Sequence, residues 1–240
     1  NQQSFNLMDE GPAHRRKFLD WGVFHVEHGF FAVWQRYTRA LKQRNAALKR
    51  GNMDTRAWEK EMSDAAVQLH SMRKAYIDAL VPILKQSVQE MLEIDDIRLD
   101  CRPGWDIERS LADILAEELE QDRGQGFTRY GPQRADLVFK RGKVLAKERL
   151  SRGQQKLLVS ALVLGQARLL AQKQARRSTV LIDDITAELD ATHCARLMTA
   201  LADTGAQLVV TAIDAGSIPV VENINSRMFH VEHGLIKTVV

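Results

Sequence analysis

Two short stretches, Leu150–Gln154 and Val180–Asp190, carry the residue types that a phosphate-handling site needs. In the first, Ser151-Arg152-Gly153-Gln154 stands at the start of a helical pattern that runs from Gln154 to about Gln174. Ser151 can cap that helix, and Gly153 lets backbone approach a ligand with no Cβ in the way. The first amides of a helix lack partners and sit at the positive end of its dipole, so this start suits an anion such as phosphate. Arg152 adds a fixed positive charge. In the second stretch, the apolar run Thr179-Val180-Leu181-Ile182 leads into Asp183-Asp184, then Ala187-Glu188-Leu189-Asp190. One carboxylate at a strand end can hold Mg²⁺ through its water shell, and its neighbour can orient an attacking water. A capped helix or an Asp-Asp pair alone is commonplace. The ordered set, separated by one helix, is not.

These groups must be positioned by the rest of the chain. The β-branched run at 179–182 predicts a buried parallel strand with its carboxylates at the end where open α/β sheets place ligands. Leu208-Val209-Val210-Thr211 predicts a second such strand, after a helix over 195–202. Earlier, Gly11-Pro12 predicts a turn into a helix. Phe30, Val33, Trp34, Tyr37, Leu41 and Leu48 recur at helical spacing, as do Trp58, Met62, Ala65, Ala66, Leu69, Met72, Tyr76 and Leu80. Gly51-Asn52 should break the first pattern, Asp54 cap the second, and Val81-Pro82 bound or kink it before a third helix to about Glu93. Ile97–Trp105 reads as a strand, Ile107–Gln121 as an acidic helix, and Arg123-Gly124-Gln125-Gly126 as a flexible link. Hairpins are expected over 137–145 and 228–239, the second with Val231 pointing inward.

Composition limits the alternatives. At 240 residues, 45% hydrophobic and 27% charged, the chain has material for one large or two smaller domains. No apolar run approaches the ~18 residues of a membrane span, and no signal-like segment opens the chain. Cys101 and Cys194 are far apart without metal-ligand spacing, so reduced thiols in a cytoplasmic protein are expected. Net charge is +3, but residues 14–50 carry nine Lys/Arg against Asp20 and Glu27, whereas residues 88–122 carry twelve Asp/Glu against three Arg. The crowded His14-Arg15-Arg16-Lys17 implies a nearby anion. Arg36, Arg39, Lys42 and Arg44 extend the basic stretch. The alternative is a pair of solvated helix faces.

The set resembles the C-terminal half of an ABC-type ATPase head, and within it the RecF family of SMC-like recombination-repair ATPases. Leu150-Ser151-Arg152-Gly153-Gln154 matches the signature, Leu181-Ile182-Asp183-Asp184 the Walker B strand, and Glu188-Leu189-Asp190 the D-loop. Gly11–Trp21 and Leu41–Leu48 also match the family. Tyr130-Gly131-Pro132-Gln133-Arg134-Ala135-Asp136-Leu137 matches with Gln133 where the family carries His. The resemblance implies an α/β fold, the C-terminal lobe of an ABC-type head with an inserted all-helical arm. It divides the chain into a connector (1–11), the arm (12–93) and the lobe (94–240). It implies ATP and Mg²⁺ held between two heads. Ser151, Arg152, Gly153 and Gln154 would grip the γ-phosphate in trans, Asp183 would hold Mg²⁺, and Asp184 would position water. The D-loop (Ala187, Glu188, Leu189, Asp190) would link the two sites.

By the same resemblance the protein is an ATP-binding, DNA-binding factor of recombinational repair, replication-fork maintenance and the SOS response. It would dimerise with ATP on gapped DNA, work with RecO and RecR to load RecA, and hydrolyse ATP weakly. Arg15, Arg16, Lys17, Arg36, Arg39, Lys42 and Arg44 are the candidate phosphate contacts. Asp184 stands where many superfamily members have Glu, and Ala212 where transporter ATPases carry a γ-phosphate-sensing His. No G-x-x-x-x-G-K-[ST] occurs in these residues, so they are expected to lack the N-terminal lobe and to be inactive alone. Two rivals are a non-enzymatic interaction module and a transporter ATPase subunit. The helical insertion before the signature disfavours the second. Phe-His-Val-Glu-His-Gly occurs at both 24–29 and 229–234, but its spacing fits neither H-E-x-x-H nor H-x-x-E-H.

Overall fold

A computed structural model describes residues 7–51, 54–174, 178–186, 189–219, 221 and 225–239. Three helices open it: α1 (Pro12–Val26), α2 (Phe30–Lys49) and α3 (Arg56–Leu92). Helix α1 starts with Pro at its first position, where the missing N–H costs nothing. In α2 the buried stripe is Phe30, Val33, Tyr37, Ala40, Arg44 and Leu48, and α3 packs against α2. The cap of α3 is Thr55, not Asp54, whose carboxylate is exposed and meets Arg56. The expected third helix is also absent as a separate element, because α3 runs unbroken through Pro82. Leu80 and Leu84, either side of that proline, pack closely on Gly165 of a later helix. Tertiary packing here outweighs the local cost of proline.

Strand β1 (Ile97–Arg102) pairs antiparallel with β2 (Asp136–Arg141), which pairs with β3 (Val144–Leu145). Between β1 and β2 the acidic segment forms two short helices, α4 (Leu111–Glu117) and α5 (Leu119–Gln125), rather than one helix from Ile107. The stretch expected to be a flexible link is the end of α5, closed by Gly126 in the left-handed region. A single turn, α6 (Ala146–Arg149), delivers the chain to α7 (Arg152–Gln174). Helix α7 is the spine of the molecule. It packs along α3 and is tied there by Arg168 to Ser87 Oγ (2.9 Å) and Glu90 (3.1 Å).

Strand β4 (Thr179–Ile182) pairs in parallel with β5 (Gln207–Val210) across helix α8 (Ala191–Ala202). The expectation of fully buried strands needs correction. Val180, Ile182, Leu208 and Val210 pack against the core, but alternate residues face out, with Leu181 70% exposed. A two-stranded sheet covered on one face leaves the other bare. The hairpin β6 (Phe229–Glu232) and β7 (Leu235–Thr238) forms as expected, yet Val231 points into solvent, not inward. No helix among the described residues is long and apolar enough to cross a membrane.

One charged cluster lies inside the helical hairpin. Arg44 is fully buried, with Nε donating to Glu59 (3.0 Å), Nη1 to Asp122 (2.7 Å) and Thr128 Oγ1 (2.8 Å), and Nη2 to the Leu115 carbonyl (3.0 Å). Removing one member of a buried, hydrogen-bonded ion set strands the others in low dielectric. Arg44→Ala should therefore destabilise the fold by about 3–5 kcal/mol in urea unfolding. Arg44→Lys should recover little of it, because an ammonium cannot reproduce the planar fork. An unchanged unfolding midpoint would refute this account.

Candidate nucleotide and nucleic-acid site

The start of α7 is built by a reciprocal cap. Gln154 N–H donates to Ser151 Oγ (3.2 Å) and Ser151 N–H donates to Gln154 Oε1 (3.1 Å). This is the capping-box arrangement, with Gln at the third helical position. Ser151 and Arg152 are exposed, Gly153 and Gln154 half-buried. A Cβ built on Gly153 meets nothing within 4 Å, so the glycine is not required by the chain's own packing. Arg152 is held outward by Asp9 (2.7 Å), a solvent-exposed pair of small energetic weight. Behind this crown Gln155 is buried and donates to the Leu150 (2.9 Å) and Lys147 (3.1 Å) carbonyls, fixing the turn that enters the helix.

Asp183 and Asp184 are organised by a residue the motif reading passed over. Thr211 Oγ1 donates to Asp183 Oδ1 (3.0 Å) and accepts from Asp184 N–H (2.9 Å). The Thr211 backbone pairs with Ile182 O (2.9 Å) and Ile185 N–H (3.1 Å), extending the β4–β5 pairing beyond the strands. Asp184 has φ +48, the left-handed region that Asp tolerates better than most residues. A polar residue ending the apolar run Leu208-Val209-Val210 is the signal that could have revealed Thr211. Ala212, where an imidazole would matter, packs against the core.

The D-loop is described only in part. Ala187 and Glu188 lie outside the described residues, whereas Leu189 is half-buried and Asp190 exposed. Asp190 caps α8, accepting from His193 N–H (2.9 Å) and lying 2.7 Å from His193 Nδ1. The backbone and ring bonds from His193 hold its carboxyl below the usual range. Signature and aspartates form two separate groups, since no hydrogen bond or ion pair among the described residues joins them. A 23-residue helix, about 35 Å long, lies between them in the chain.

The basic cluster divides in two. Arg15 forks onto both oxygens of Asp136 (2.7 and 3.1 Å) and the Glu10 carbonyl (2.7 Å). Arg16 donates to the Ala135 carbonyl (2.8 Å), and burial lowers its pKa. His14 pairs with Glu10 at 2.5 Å. The anion implied by this crowded turn is thus supplied largely by the protein itself, and these arginines weld α1 to β2. Arg44 is buried, and Arg36 pairs with Glu61 (2.8 Å). Neither Arg15 nor Arg44 is free to meet an external phosphate. Lys17, Arg39 and Lys42 remain exposed.

Further side-chain contacts hold this surface in place. Arg73 forks onto Asp20 (2.8 and 2.9 Å) and donates to the Pro132 carbonyl (3.0 Å). Gln133 accepts from Tyr37 Oη and donates to the Tyr130 carbonyl (2.9 Å), so it serves as a clamp in place of an imidazole. Gly131, at φ +125, leaves no room for a Cβ beside Tyr37 Oη. The two Phe-His-Val-Glu-His-Gly copies lie in unlike settings, one at the α1–α2 turn and one on the β6–β7 hairpin. His230 and Glu232 share a face at 3.8 Å. No three His, Cys, Asp or Glu side chains converge as a metal site among the described residues.

Comparison with known proteins places the chain in a family. No family model matches the chain. The DNA replication and repair protein RecF of Stutzerimonas stutzeri is 44% identical over 241 residues, covering 98% of this chain and 65% of the relative. RecF of Pseudomonas paraeruginosa is 42% identical over 241 residues with the same coverage. RecF of Chromohalobacter salexigens is 42% identical over 243 residues, covering 99% of this chain and 67% of the relative. The chain thus spans about two thirds of the length of these relatives. Among solved structures, the recombination mediator protein RecF-ATPrS of the RecFOR pathway superposes with TM-score 0.84 at 17% identity, over 100% of this chain and 67% of that one. The Smc head domain of Pyrococcus furiosus, with its extended coiled coil, gives TM-score 0.50 at 13% identity, over 98% of this chain and 59% of that one. The fold is that of an ABC-type ATPase head. The chain belongs to the RecF family of DNA replication and repair proteins.

Proposed function

We propose that this chain supplies the trans half of an ATP-gated clamp on DNA. The observation that carries the reading is the open crown at Ser151–Gln154, a helix start whose glycine has empty space above it and whose serine is exposed. Such a start offers backbone amides and a positive dipole to an anion. Ser151 and Gly153 would grip the γ-phosphate of an ATP seated on a partner head, with Arg152 released from Asp9 to add charge. Asp183, oriented by Thr211, would hold Mg²⁺, which when bound screens the phosphate charge. Asp184 would orient water, its backbone fixed by the same hydroxyl. A carboxylate one methylene shorter than Glu suits slow turnover and a switch-like role. Asp190 would carry information between the two sites. The 240 residues contain no P-loop, so the cis half of the pocket is outside this proposal.

On this reading the residues divide into a connector (1–11), an arm (12–93) and an ATPase lobe (94–240), with α3 reaching from arm to lobe. The dimer would close on gapped DNA in the cytoplasm and act with RecO and RecR to load RecA. Of the seven candidate phosphate contacts, Lys17, Arg39 and Lys42 are exposed and outside the ion pairs described above, and they would meet phosphate.

Two experiments test it, on the protein expressed at the full length of its curated relatives. Gly153→Ala should abolish ATP-dependent dimerisation in light scattering while leaving thermal stability and monomer ATP binding intact. Ser151→Arg should do the same with some loss of stability from the broken cap, about 1 kcal/mol. Unimpaired dimers in both would remove the crown from the interface. Separately, Lys17→Ala/Arg39→Ala/Lys42→Ala should flatten the dependence of log K on log salt by about 0.9 for each phosphate no longer neutralised. An unchanged slope would move DNA elsewhere on the surface.

A further inference from the structure

The turn joining α1 to α2 carries an aromatic cluster that the ATPase reading does not use. Trp21, Phe24, Phe31 and Trp34 are all exposed, Trp21 by 52% and Phe31 by 48%. They lie against one another or against His25. Trp21 and His25 have centroids 4.4 Å apart, Phe24 and His25 5.0 Å, Phe24 and Phe31 5.8 Å, and Phe31 and Trp34 6.3 Å with planes only 11° apart. Single exposed apolar residues need no explanation, but a contiguous exposed cluster marks an interaction surface.

Charge identifies the partner. Glu27 is the only carboxylate between Trp21 and Trp34. Lys17, one turn before Trp21 on α1, is exposed, and Lys42, three turns after Phe31 on the same face of α2, is exposed about 16 Å further on. Lys173 is exposed on the last turn of α7, whose Gln174 donates to the His25 carbonyl. Asp20, beside Trp21, is taken up by Arg73 (2.8 Å), and Glu61 pairs with Arg36 (2.8 Å) on the far side of α2 from Phe31 and Trp34. Flat π-faces bracketed by cations suit unpaired bases joined by a phosphate backbone, because every base can stack and every phosphate is anionic. A duplex hides its base faces and could use only the cations.

We propose that Phe31 and Trp34, with Phe24 and Trp21 alongside, form a stacking platform for the single-stranded part of a DNA substrate. This rests on the DNA-binding reading above and adds which part of the DNA is met, and where. The platform would let the protein distinguish a gap from intact duplex without reading sequence.

The test uses the full-length protein with gapped duplex, oligothymidylate and blunt duplex at one salt concentration. Phe31→Ala and Trp34→Ala should each weaken gapped-DNA and oligothymidylate binding by about tenfold, the lower-middle of the range for one base–aromatic stack. Blunt-duplex binding should change less than twofold, and Trp34→Phe should restore most of the affinity. These rings are at the surface, so melting temperatures should stay near wild type. Equal losses on all three DNAs, or none on gapped DNA, would overturn the platform while leaving DNA binding standing. Wild-type protein that binds none of the three would overturn both readings. Normal DNA binding with loss of a protein partner would assign the rings to protein docking and overturn the proposal.

Discussion

The helical hairpin depends on one buried cation. Arg44 occupies a core position of α2, two turns after Tyr37 on the same stripe, where periodicity alone would place a leucine. Its guanidinium makes four hydrogen bonds, to α3, α4, α5 and the segment after α5. Asp122 also accepts from Arg129 (3.0 Å), and Arg129 reaches Glu118 as well. Two guanidinium groups thus face three carboxylates in a region buried at its centre. Desolvating such charges is expensive, and only complete hydrogen bonding recovers it. An apolar core of equal volume could be as stable. The ion set brings direction: α4 and α5, too short to hold a position by themselves, are oriented by where the fork points.

The same device recurs where α1 and α3 meet β2. Arg73 stands in the buried stripe of α3, and joins Asp20 of α1 to the turn before β2. Arg15 joins α1 to the first residue of β2. Three arginines of the first three helices are therefore internal struts. The surface that remains positive is narrower than composition implies, with Lys17, Arg39, Lys42, Lys49 and Arg50 exposed on it. Local charge density was a poor guide here because arginine forms bidentate bonds and tolerates burial far better than lysine.

This explains what the sequence made legible and what it hid. Signals carried by neighbours in the chain are readable: the Ser151 cap, the Pro12 helix start, the parallel strand pair, and most of the stripes of α2 and α3, whose Trp34 and Trp58 are exposed. Asp183 and Asp184 stand out as a pair because they follow a strand. Interactions that join distant segments were not readable. Arg44 to Asp122 spans 78 residues, and Thr211 to Asp183 spans 28. Yet Arg44, Glu59 and Arg73 leave a trace, since each falls in phase with the apolar stripe of its helix. A charge in phase with a core stripe predicts a buried partner. Pro82 failed as a boundary for the converse reason: local cost was outweighed by the packing of Leu80 and Leu84 against the backbone at Gly165.

The arrangement also bears on how a surface event could be felt at the start of α7. Helix α1 is fastened to α7 by Gln166 donating to the Phe18 carbonyl (3.0 Å) and by Gln174 donating to the His25 carbonyl. Those bonds bracket Trp21 and Phe24. The helix that carries half of the aromatic cluster is thus tied, at two points about two turns apart, to the helix whose start is the signature. Continuity of this kind is not itself coupling, which requires two states that both ligands bias. It does constrain the form such coupling could take. Bending α1 alone would break carbonyl bonds whose partners are buried (Gln166) or half-buried (Gln174), so α1 and α7 should move as one body. Any transition that reorients the signature would then carry the α1 side of the cluster with it. The aspartate side is fastened to α7 more loosely, with Arg168 reaching the Ala200 carbonyl of α8 at 3.4 Å.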